Sequence, residues 1–192
     1  MARPKKFDEA ETLQKAMNVY WKKGYAGTSM SDLVTAMGIN APSLYDTYGD
    51  KHQLFMSSLN SYLNSQLDWM KTLSEESIPV KEIILTLLKA LVADTLNDPD
   101  RKGCFMVNTV TELANQDEEV LKVAIQNEKS VRSILLGLIK KGQESGEISS
   151  QSNPEIIAMY LFTMIMGLRV VAATNFDKCF LDSTLEFTVK NI

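Results

Sequence analysis

The sequence predicts an all-α protein with a three-helix N-terminal unit and a larger helical unit behind it. Apolar residues recur at intervals of three and four along most of the 192 residues, which is the spacing of amphipathic helices. Residues 104–113 are rich in Val and Thr, as strands are, but no partner strand pattern accompanies them, so a short helix is the better interpretation. We place the two units at residues 1–51 and 52–192.

The most informative local pattern lies in residues 28–51. Ser29, with an Asp three residues later, predicts a helix start, and Gly38 predicts the end of that helix. Asn40 is a good N-cap for a second helix, whose first turn contains a Pro, and Gly49 ends it. Two short helices joined by a tight turn form a helix-turn-helix unit, the second helix of which enters the major groove of DNA.

Over roughly residues 7–55 the chain resembles the TetR family of bacterial repressors. The resemblance rests on a Thr-Ser helix start, a Gly-apolar turn, a Leu-Tyr pair, a further aromatic, and a Lys and a Leu beyond it, which are Thr28, Ser29, Gly38, Ile39, Leu44, Tyr45, Tyr48, Lys51 and Leu54. Two positions depart from the family pattern, Pro42 where Gly is usual and Tyr48 where Phe is usual. Both residues suit the place, because Pro fits a first helical turn and Tyr serves as a core aromatic.

The resemblance implies partners and a mechanism. The first three helices would bind duplex DNA at a partly palindromic operator, and the middle helices would enclose a pocket for a small-molecule inducer. The last two helices would pair with their copies in a homodimer. Ligand binding would shift the population towards a state in which the two reading helices, the second helix of each helix-turn-helix unit, no longer have the spacing of successive major grooves. The fourth helix would transmit the change.

The resemblance and the helix positions also select candidate DNA contacts. These residues are Thr28, Ser29, Asn40, Ala41, Pro42, Ser43, Tyr45, Thr47, Tyr48 and Lys51. Asn40 and Ser43 are the best polar readers of base edges, because they lie at the front of the second helix. Thr28, Tyr45, Thr47 and Lys51 match the phosphate-contact positions of the family. The alternative for each residue is a solvated cap or surface side chain.

A candidate ligand pocket follows from the helices that the resemblance places around it. The residues are Trp69, Met70, Cys104, Phe105, Met106, Asn108, Thr109, Glu112, Phe162 and Met166, and plain core packing is the alternative for each. Arg169 interrupts an apolar helix and either pairs with a carboxylate in the dimer or in a pocket, or lays its stem over apolar surface with its head in water.

Cys104 is a further candidate, as a reactive thiol that senses electrophiles or oxidants. It follows Gly103 at a helix start with Arg101 and Lys102 just before it, and both features favour a thiolate. Some TetR-like regulators that respond to reactive species carry a Gly-Cys step here, so the resemblance points the same way. The alternative is a small buried core residue.

Composition excludes several classes of protein. With 45% hydrophobic residues, the chain can bury a substantial core. Two distant cysteines and one His supply no disulfide framework, metal site or catalytic triad, so we expect no cofactor and no enzyme activity. The uncharged apolar run from Ile156 to Leu168 is shorter than the ~20 residues of a membrane helix, so we expect a cytoplasmic protein without membrane contact. A helical interaction scaffold fits this composition too, but it has no need of residues 28–51.

The net charge of −4 is unevenly distributed. Residues 1–51 hold seven Lys or Arg against six Asp or Glu, whereas residues 52–192 hold thirteen against eighteen. Arg3, Lys5 and Lys6 form a short basic arm that either follows DNA phosphates or is a solubilising tail. The more positive end of the chain is therefore the end that carries the helix-turn-helix pattern.

The remaining helices follow from apolar spacing. A first helix from Asp8 to Gly24 braces the helix-turn-helix pattern, and we call these three N-terminal helices together the reading unit. A fourth helix, from Lys51 past Met70, is long enough to connect the two units of the chain. Further helices are expected at 83–96, 104–113, 117–145, 156–174 and 181–192. The inward side of the longest one is expected to hold Val120, Leu121, Ala124, Ile125, Val131, Leu135, Leu138 and Ile139. The helix at 156–174 is apolar nearly all round and therefore needs cover on every side.

Overall fold

The computed structural model describes residues 7–174 and 177–192, and those residues form helices and connecting loops without a strand. The helices are α1 Glu9–Lys23, α2 Met30–Met37, α3 Ala41–Tyr48, α4 Lys51–Ser74, α5 Val80–Leu96, α6 Phe105–Leu113, α7 Glu118–Ser145, α8 Pro154–Ala173 and α9 Lys178–Lys190. The all-α prediction is confirmed, and the run at 104–113 is helical. The basic arm Arg3, Lys5 and Lys6 lies outside the described residues.

The predicted start and stop signals act at the ends of the short helices. Ser29 and Asp32 form a reciprocal capping box at the start of α2. The side chain of Asn40 accepts a hydrogen bond at the start of α3, and Gly38 ends α2 in the left-handed conformation with φ 69°. These caps satisfy backbone groups that two eight-residue helices would otherwise leave unpaired.

The apolar side chains form two clusters. The first cluster, the reading-unit core, joins α1, α2 and α3 to the first half of α4 and to buried side chains of α6, including Phe105 and Leu113. The second cluster, the C-terminal core, joins α5, α7, α8 and α9. Helix α6 therefore shares a core with the reading unit, although it lies more than fifty residues further along the chain.

Helix α8 has a buried face and an exposed apolar face. Its buried face packs against α5 and α7. The outward apolar side chains of α8 and α9 are Ile156, Met159, Tyr160, Val170, Phe180 and Phe187. By length and composition alone, α8 is also the one helix of the described residues that would pass as membrane-spanning, with a mean hydropathy of 2.0. A helix apolar on both faces fits burial against its own chain on one side and against a partner on the other.

Two residues of α7 were predicted on the wrong side. Leu121 and Ile125 are 42% and 46% exposed, whereas Val120 beside them is fully buried. Ile125 lines an apolar groove beside α6 and α8 instead of packing into a core, and Val120 alone of these three joins the reading-unit core. The apolar pattern does mark the buried side further along, from Val131 to Ile139.

This difference predicts unequal effects of neighbouring truncations. We expect Val120→Ala to lower the free energy of unfolding by about 2 kcal/mol, because it removes buried methyl groups and leaves a cavity. Leu121→Ala, which removes more atoms from an exposed position, is expected to change it by less than about 0.5 kcal/mol. Urea unfolding at one protomer concentration measures both, and a larger effect at Leu121 would contradict the orientation of α7.

Candidate DNA-binding site

Helices α2 and α3 are held together by a small set of buried apolar side chains. Leu33 and Met37 of α2, Ile39 of the turn and Leu44 of α3 point into the reading-unit core. With these side chains pointing inward, α3 presents its other residues outward. The result is a rigid helix whose front and outer face are polar, as groove reading requires.

Most of the predicted DNA contacts are exposed or partly exposed. Ser29, Asn40, Pro42 and Tyr45 are exposed, and the Tyr45 ring keeps 50% of its surface open to solvent. The partly exposed contacts are Ala41, Ser43, Thr47, Tyr48 and Lys51. The exposed and partly exposed contacts therefore come from the N-cap of α2, from α3 with its N-cap, and from the start of α4.

Thr28 is placed differently from its prediction as a phosphate contact. It is only 2% exposed, and its hydroxyl donates a hydrogen bond of 2.6 Å to the carbonyl of Gly24. A side chain in that position closes the turn between α1 and α2 and has little surface to offer a phosphate. The Thr-Ser pattern therefore marks a helix start here, with Ser29 as its exposed member.

Tyr48 and Asn40 also have tasks within the fold. The Tyr48 hydroxyl donates to the carbonyl of Glu9 at 2.8 Å and shares a hydrogen bond with the hydroxyl of Thr12. The side-chain oxygen of Asn40 accepts from the backbone N–H of Ser43 at 2.8 Å. Tyr48 therefore ties α3 to α1. Asn40 caps α3, the same helix from which it was predicted to contact base edges.

Lys51 stands at the first residue of α4, close to the reading helix. Its ammonium lies 4.4 Å from the centre of the Tyr25 ring, and its carbonyl accepts a hydrogen bond from the Tyr20 hydroxyl. Burial raises the pKa of Tyr20, so this hydroxyl stays protonated and keeps donating. The backbone of Lys51 is thus held by Tyr20, and its ammonium lies over the ring of Tyr25.

Asp32 carries the main electrostatic feature of α2. Lys23 donates to it at 2.7 Å, and Ser29 donates to it from both its backbone and its hydroxyl. These hydrogen bonds, the one from Lys23 foremost, hold the pKa of Asp32 well below its usual range. The carboxylate is therefore charged at any physiological pH, and it partly neutralises Lys23 next to the DNA-facing surface.

Several contacts join the reading unit to the C-terminal helices. Trp21 donates through Nε1 to the carbonyl of Gly103 at 3.1 Å, just before α6. Glu112, near the other end of α6, accepts from the backbone N–H groups of Tyr25 at 3.0 Å and Ala26 at 2.8 Å. His52 and the α7 cap Asp117 contribute a further pair at 2.8 Å. Sequence reasoning missed these contacts because no local pattern signals a partner more than sixty residues away.

A polar cluster lies between the two cores. The Arg169 guanidinium donates to the Tyr62 hydroxyl at 2.9 Å, to the Cys104 sulfur at 2.7 Å and to the Gln66 amide oxygen at 3.1 Å. The reading of Arg169 that placed its head in water was wrong, whereas pairing with a carboxylate across the dimer stays a prediction. The hydrogen-bond partners found for its guanidinium are neutral or sulfur acceptors instead of a carboxylate, and its head lies among helices instead of in water.

Burial is the main influence on the ionisable groups of this cluster. Burial raises the pKa of Tyr62, and the neighbouring Cys104 sulfur raises it further. For Arg169, burial alone lowers the pKa, but the interactions with Cys104 and Tyr62, hydrogen bonds included, outweigh it and the net pKa is raised. The guanidinium therefore remains a cation inside the protein, with the hydroxyl of Tyr62 protonated beside it.

The predicted pocket residues do not surround one cavity. Trp69 is partly exposed, Met70 lies in the C-terminal core, and Cys104 and Phe105 lie in the reading-unit core. Asn108 is exposed and donates to the carbonyl of Lys102. Helical spacing identifies apolar faces, but it does not say which faces meet, so residues from different layers were grouped together.

Two apolar grooves lie along α8, and a smaller polar cavity lies between the two cores. An apolar groove of about 380 Å³ between α6, α7 and α8 includes Phe162 and Met166 of the predicted set, together with Met106. A second apolar groove of about 390 Å³ lies between α8 and α9. A smaller polar cavity of about 80 Å³ reaches Trp21, Tyr62, Gln66 and Arg169. The small cavity touches both the reading unit and the polar cluster.

The fold and the outward face of α3 define a helix-turn-helix DNA-binding protein with an added helical domain. The family model described as "Bacterial regulatory proteins, tetR family" matches residues 13–57, and "Tetracyclin repressor-like, C-terminal domain" matches residues 83–183. The uncharacterised regulator YezE of Bacillus subtilis (strain 168) is 32% identical, with 92% of each chain covered. The chain belongs to the TetR family of transcriptional regulators.

Further comparisons agree with this assignment. The repressor ComR of Escherichia coli (strain K12) is 30% identical over 88% of this chain and 81% of its own. A solved structure of the TetR family regulator CifR, a cysteine mutant complexed with 26-bp operator DNA, is 27% identical with a TM-score of 0.83 and 98% of each chain covered. The protein is therefore a DNA-binding transcriptional regulator of a family that acts as ligand-responsive homodimers, and the scaffold alternative is not favoured.

Proposed function

We propose that the protein is a homodimeric repressor that leaves its operator when a small molecule binds the helices behind the reading unit. The observation that carries this proposal is the attachment of the reading unit to α6 by the Trp21 and Glu112 hydrogen bonds. A unit that only had to bind DNA would not require such ties. We also infer that it works in the cytoplasm, where the DNA is, and that it catalyses no reaction.

The proposed contacts fall into two groups by their position on the outward face. Tyr45 and Thr47 lie in the second half of α3, and Lys51 begins α4. Their hydroxyl and ammonium groups are hydrogen-bond donors that suit DNA phosphates. Asn40, Ala41, Pro42 and Ser43 form the first turn of α3 and suit base edges. We keep residues 1–51 and 52–192 as the proposed DNA-binding and ligand-binding domains.

The exposed apolar face of α8 and α9 supports the dimer. Phe180 and Phe187 are 60% and 67% exposed on α9, and four further large apolar side chains lie open on α8. A second copy related by a two-fold axis would cover this face with the same face of its own. The two reading helices of such a dimer would then meet two half-sites of a partly palindromic operator.

Release requires a route from the ligand to α3. The fourth helix, which we expected to transmit the change, does run from the reading unit into the C-terminal domain. Helix α6 supports the route more directly, because it shares the reading-unit core and holds the turn between α1 and α2. A ligand that binds the released state more tightly by about 1–3 kcal/mol suffices to shift the population.

A reactive electrophile is a second proposed signal, and the surroundings of Cys104 favour it. Its sulfur lies 2.7 Å from the Arg169 guanidinium and 3.6 Å from the Tyr62 hydroxyl, directly before α6. Addition of the thiolate to an α,β-unsaturated carbonyl forms an S–C bond at the β-carbon, and the α-carbon takes up a proton. The added group has no room in the reading-unit core, so α6 would have to move. The alternative remains a plain core cysteine.

Selection of binding sites from random duplex DNA tests the proposed function. We expect a partly palindromic site whose half-sites repeat after about one helical turn, roughly 34–36 Å, or somewhat more, because each protomer carries one reading helix. Sedimentation of the free protein should show a dimer at micromolar concentration. A selected site without a dyad, or a monomer at that concentration, would contradict the dimeric repressor.

The two groups of contacts predict different effects on DNA recognition. Lys51→Ala should weaken binding to all duplexes alike and reduce the salt dependence of log K by about two per dimer, because it removes one phosphate contact from each protomer. Ser43→Ala should instead change which base is preferred at one position of each half-site. Competition binding at several salt concentrations separates the two outcomes. A base-specific effect of Lys51→Ala with unchanged overall affinity would show that the roles are assigned wrongly.

Cys104→Ser tests the electrophile proposal. The wild type, treated with N-ethylmaleimide, should release the selected operator, whereas Cys104→Ser should retain it. Cys179→Ser is the matched control, because that thiol is exposed on α9 and is expected to leave the response unchanged. Equal release from wild type and Cys104→Ser, or release from neither, would leave only a reversible ligand as the signal.

A further inference from the structure

The turn between α1 and α2 is held by a single carboxylate from α6. Glu112 accepts one hydrogen bond from the N–H of Tyr25 and one from the N–H of Ala26, at 3.0 and 2.8 Å. Its two oxygens, Oε2 and Oε1, each take one of them, so the turn is gripped in a defined orientation. Hydrogen bonds to a charged acceptor are about twice as strong as those between neutral groups.

The sequence of the turn is shaped to admit this carboxylate. A side chain at Gly24 would place its Cβ 2.7 Å from Oε2 of Glu112, and Gly24 itself has φ 72°. Only glycine satisfies both the close approach and the left-handed backbone without strain. The contact between α6 and the turn therefore depends on residues at both of its ends.

Movement of this turn would reach the reading helix through short, rigid links. Directly after the gripped residues, the Thr28 hydroxyl donates to the Gly24 carbonyl and Ser29 caps α2. The ring of Tyr25 lies beneath the Lys51 ammonium and packs edge-on against Phe55, 5.0 Å between ring centres. A change at Glu112 thus displaces the start of α2 and, next to it, the proposed phosphate contact Lys51.

The other end of α6 begins in the polar cluster. Cys104 is the N-cap residue of α6, and Gly103 before it accepts the Trp21 hydrogen bond. Glu112 stands eight residues after Cys104, roughly 12 Å along the helix at 1.5 Å per residue. A short helix shifts as a unit, because its internal hydrogen bonds resist local deformation. A displacement of α6 at its Cys104 end therefore moves Glu112 and, through its hydrogen bonds, the turn between α1 and α2.

We propose that Glu112 is the coupling residue of this regulator, the group through which the state of α6 sets the position of the reading unit and hence the affinity for DNA. The proposal rests on the proposed function, since it concerns how the same DNA-binding site is regulated. Glu112 acts as a positioning residue on the turn between α1 and α2. Its hydrogen bonds go to the backbone of that turn, and it is not among the proposed DNA contacts.

Two substitutions of Glu112 remove its hydrogen bonds to the turn in steps. In Glu112→Gln the amide oxygen can still accept one N–H, but the amide nitrogen faces the other N–H as a second donor. In Glu112→Ala both hydrogen bonds are lost. The matched control is Glu128→Gln on α7, where a partly exposed carboxylate pairs with Arg132 of the same helix. Helical circular dichroism and sedimentation show that each variant folds and dimerises.

The first measurement is affinity for the operator selected by the wild type. We expect the Kd to rise about fivefold in Glu112→Gln and tenfold or more in Glu112→Ala, because a loosened reading unit spends less time at the spacing that the operator demands. Glu128→Gln should stay within twofold of the wild type. Unchanged affinity in folded Glu112→Gln and Glu112→Ala would overturn the proposal and leave the proposed function intact.

The second measurement separates coupling from simple support of the fold. Operator DNA favours the conformation in which α6 is seated and Cys104 is buried, so it should slow the reaction of N-ethylmaleimide with Cys104 in the wild type and in Glu128→Gln, followed by mass spectrometry of the Cys104 peptide. In Glu112→Ala, at operator concentrations that saturate it, the rates with and without DNA should become equal. Protection that persists in Glu112→Ala would overturn the proposal, whereas a wild type that selects no operator would overturn the proposed function itself.

Discussion

The packing of Phe105 against the reading unit is the constraint on which the rest of the structure depends. Its ring is buried among Trp21 of α1 and Phe55 and Tyr62 of α4, with ring centres 5.7–5.9 Å away. Removing a side chain of this size from water is worth about 1.5–3 kcal/mol, and edge-on aromatic pairs add to it. Because this residue opens α6, the helix is anchored to the reading unit at its first turn.

Once α6 is anchored, the polar contacts around it are fixed in place. The carboxylate of Glu112 meets the turn after α1, the carbonyl of Gly103 meets Trp21, and Cys104 faces Arg169. A buried guanidinium requires hydrogen-bond acceptors, and here α4 and the start of α6 supply them to its two terminal nitrogens, whereas Nε has no partner among the described residues. The same packing that stabilises the core thus creates the path between the helices behind and the DNA-binding surface.

Helix α3 depends on its surroundings for stability because it is short. Eight residues supply two turns, too few for a stable isolated helix, so α3 must be held from outside. Leu44 holds it from below, Tyr48 ties it to α1, and Asn40 closes its first turn. What remains outward is a small face, which explains why the candidate contacts extend to Ser29 and Lys51 on the neighbouring elements.

The sequence by itself determined the helices and the reading unit, because caps such as Ser29 with Asp32, and the Gly38 turn, act within a few residues of chain. It did not determine how distant faces meet. Leu121 proved exposed, the Arg169 guanidinium donates to neighbouring helices, and Glu112 accepts hydrogen bonds from the turn between α1 and α2. Only the tertiary structure decided these points, because an apolar stripe or a charged side chain fits many partners, and the packing of all helices together selects one.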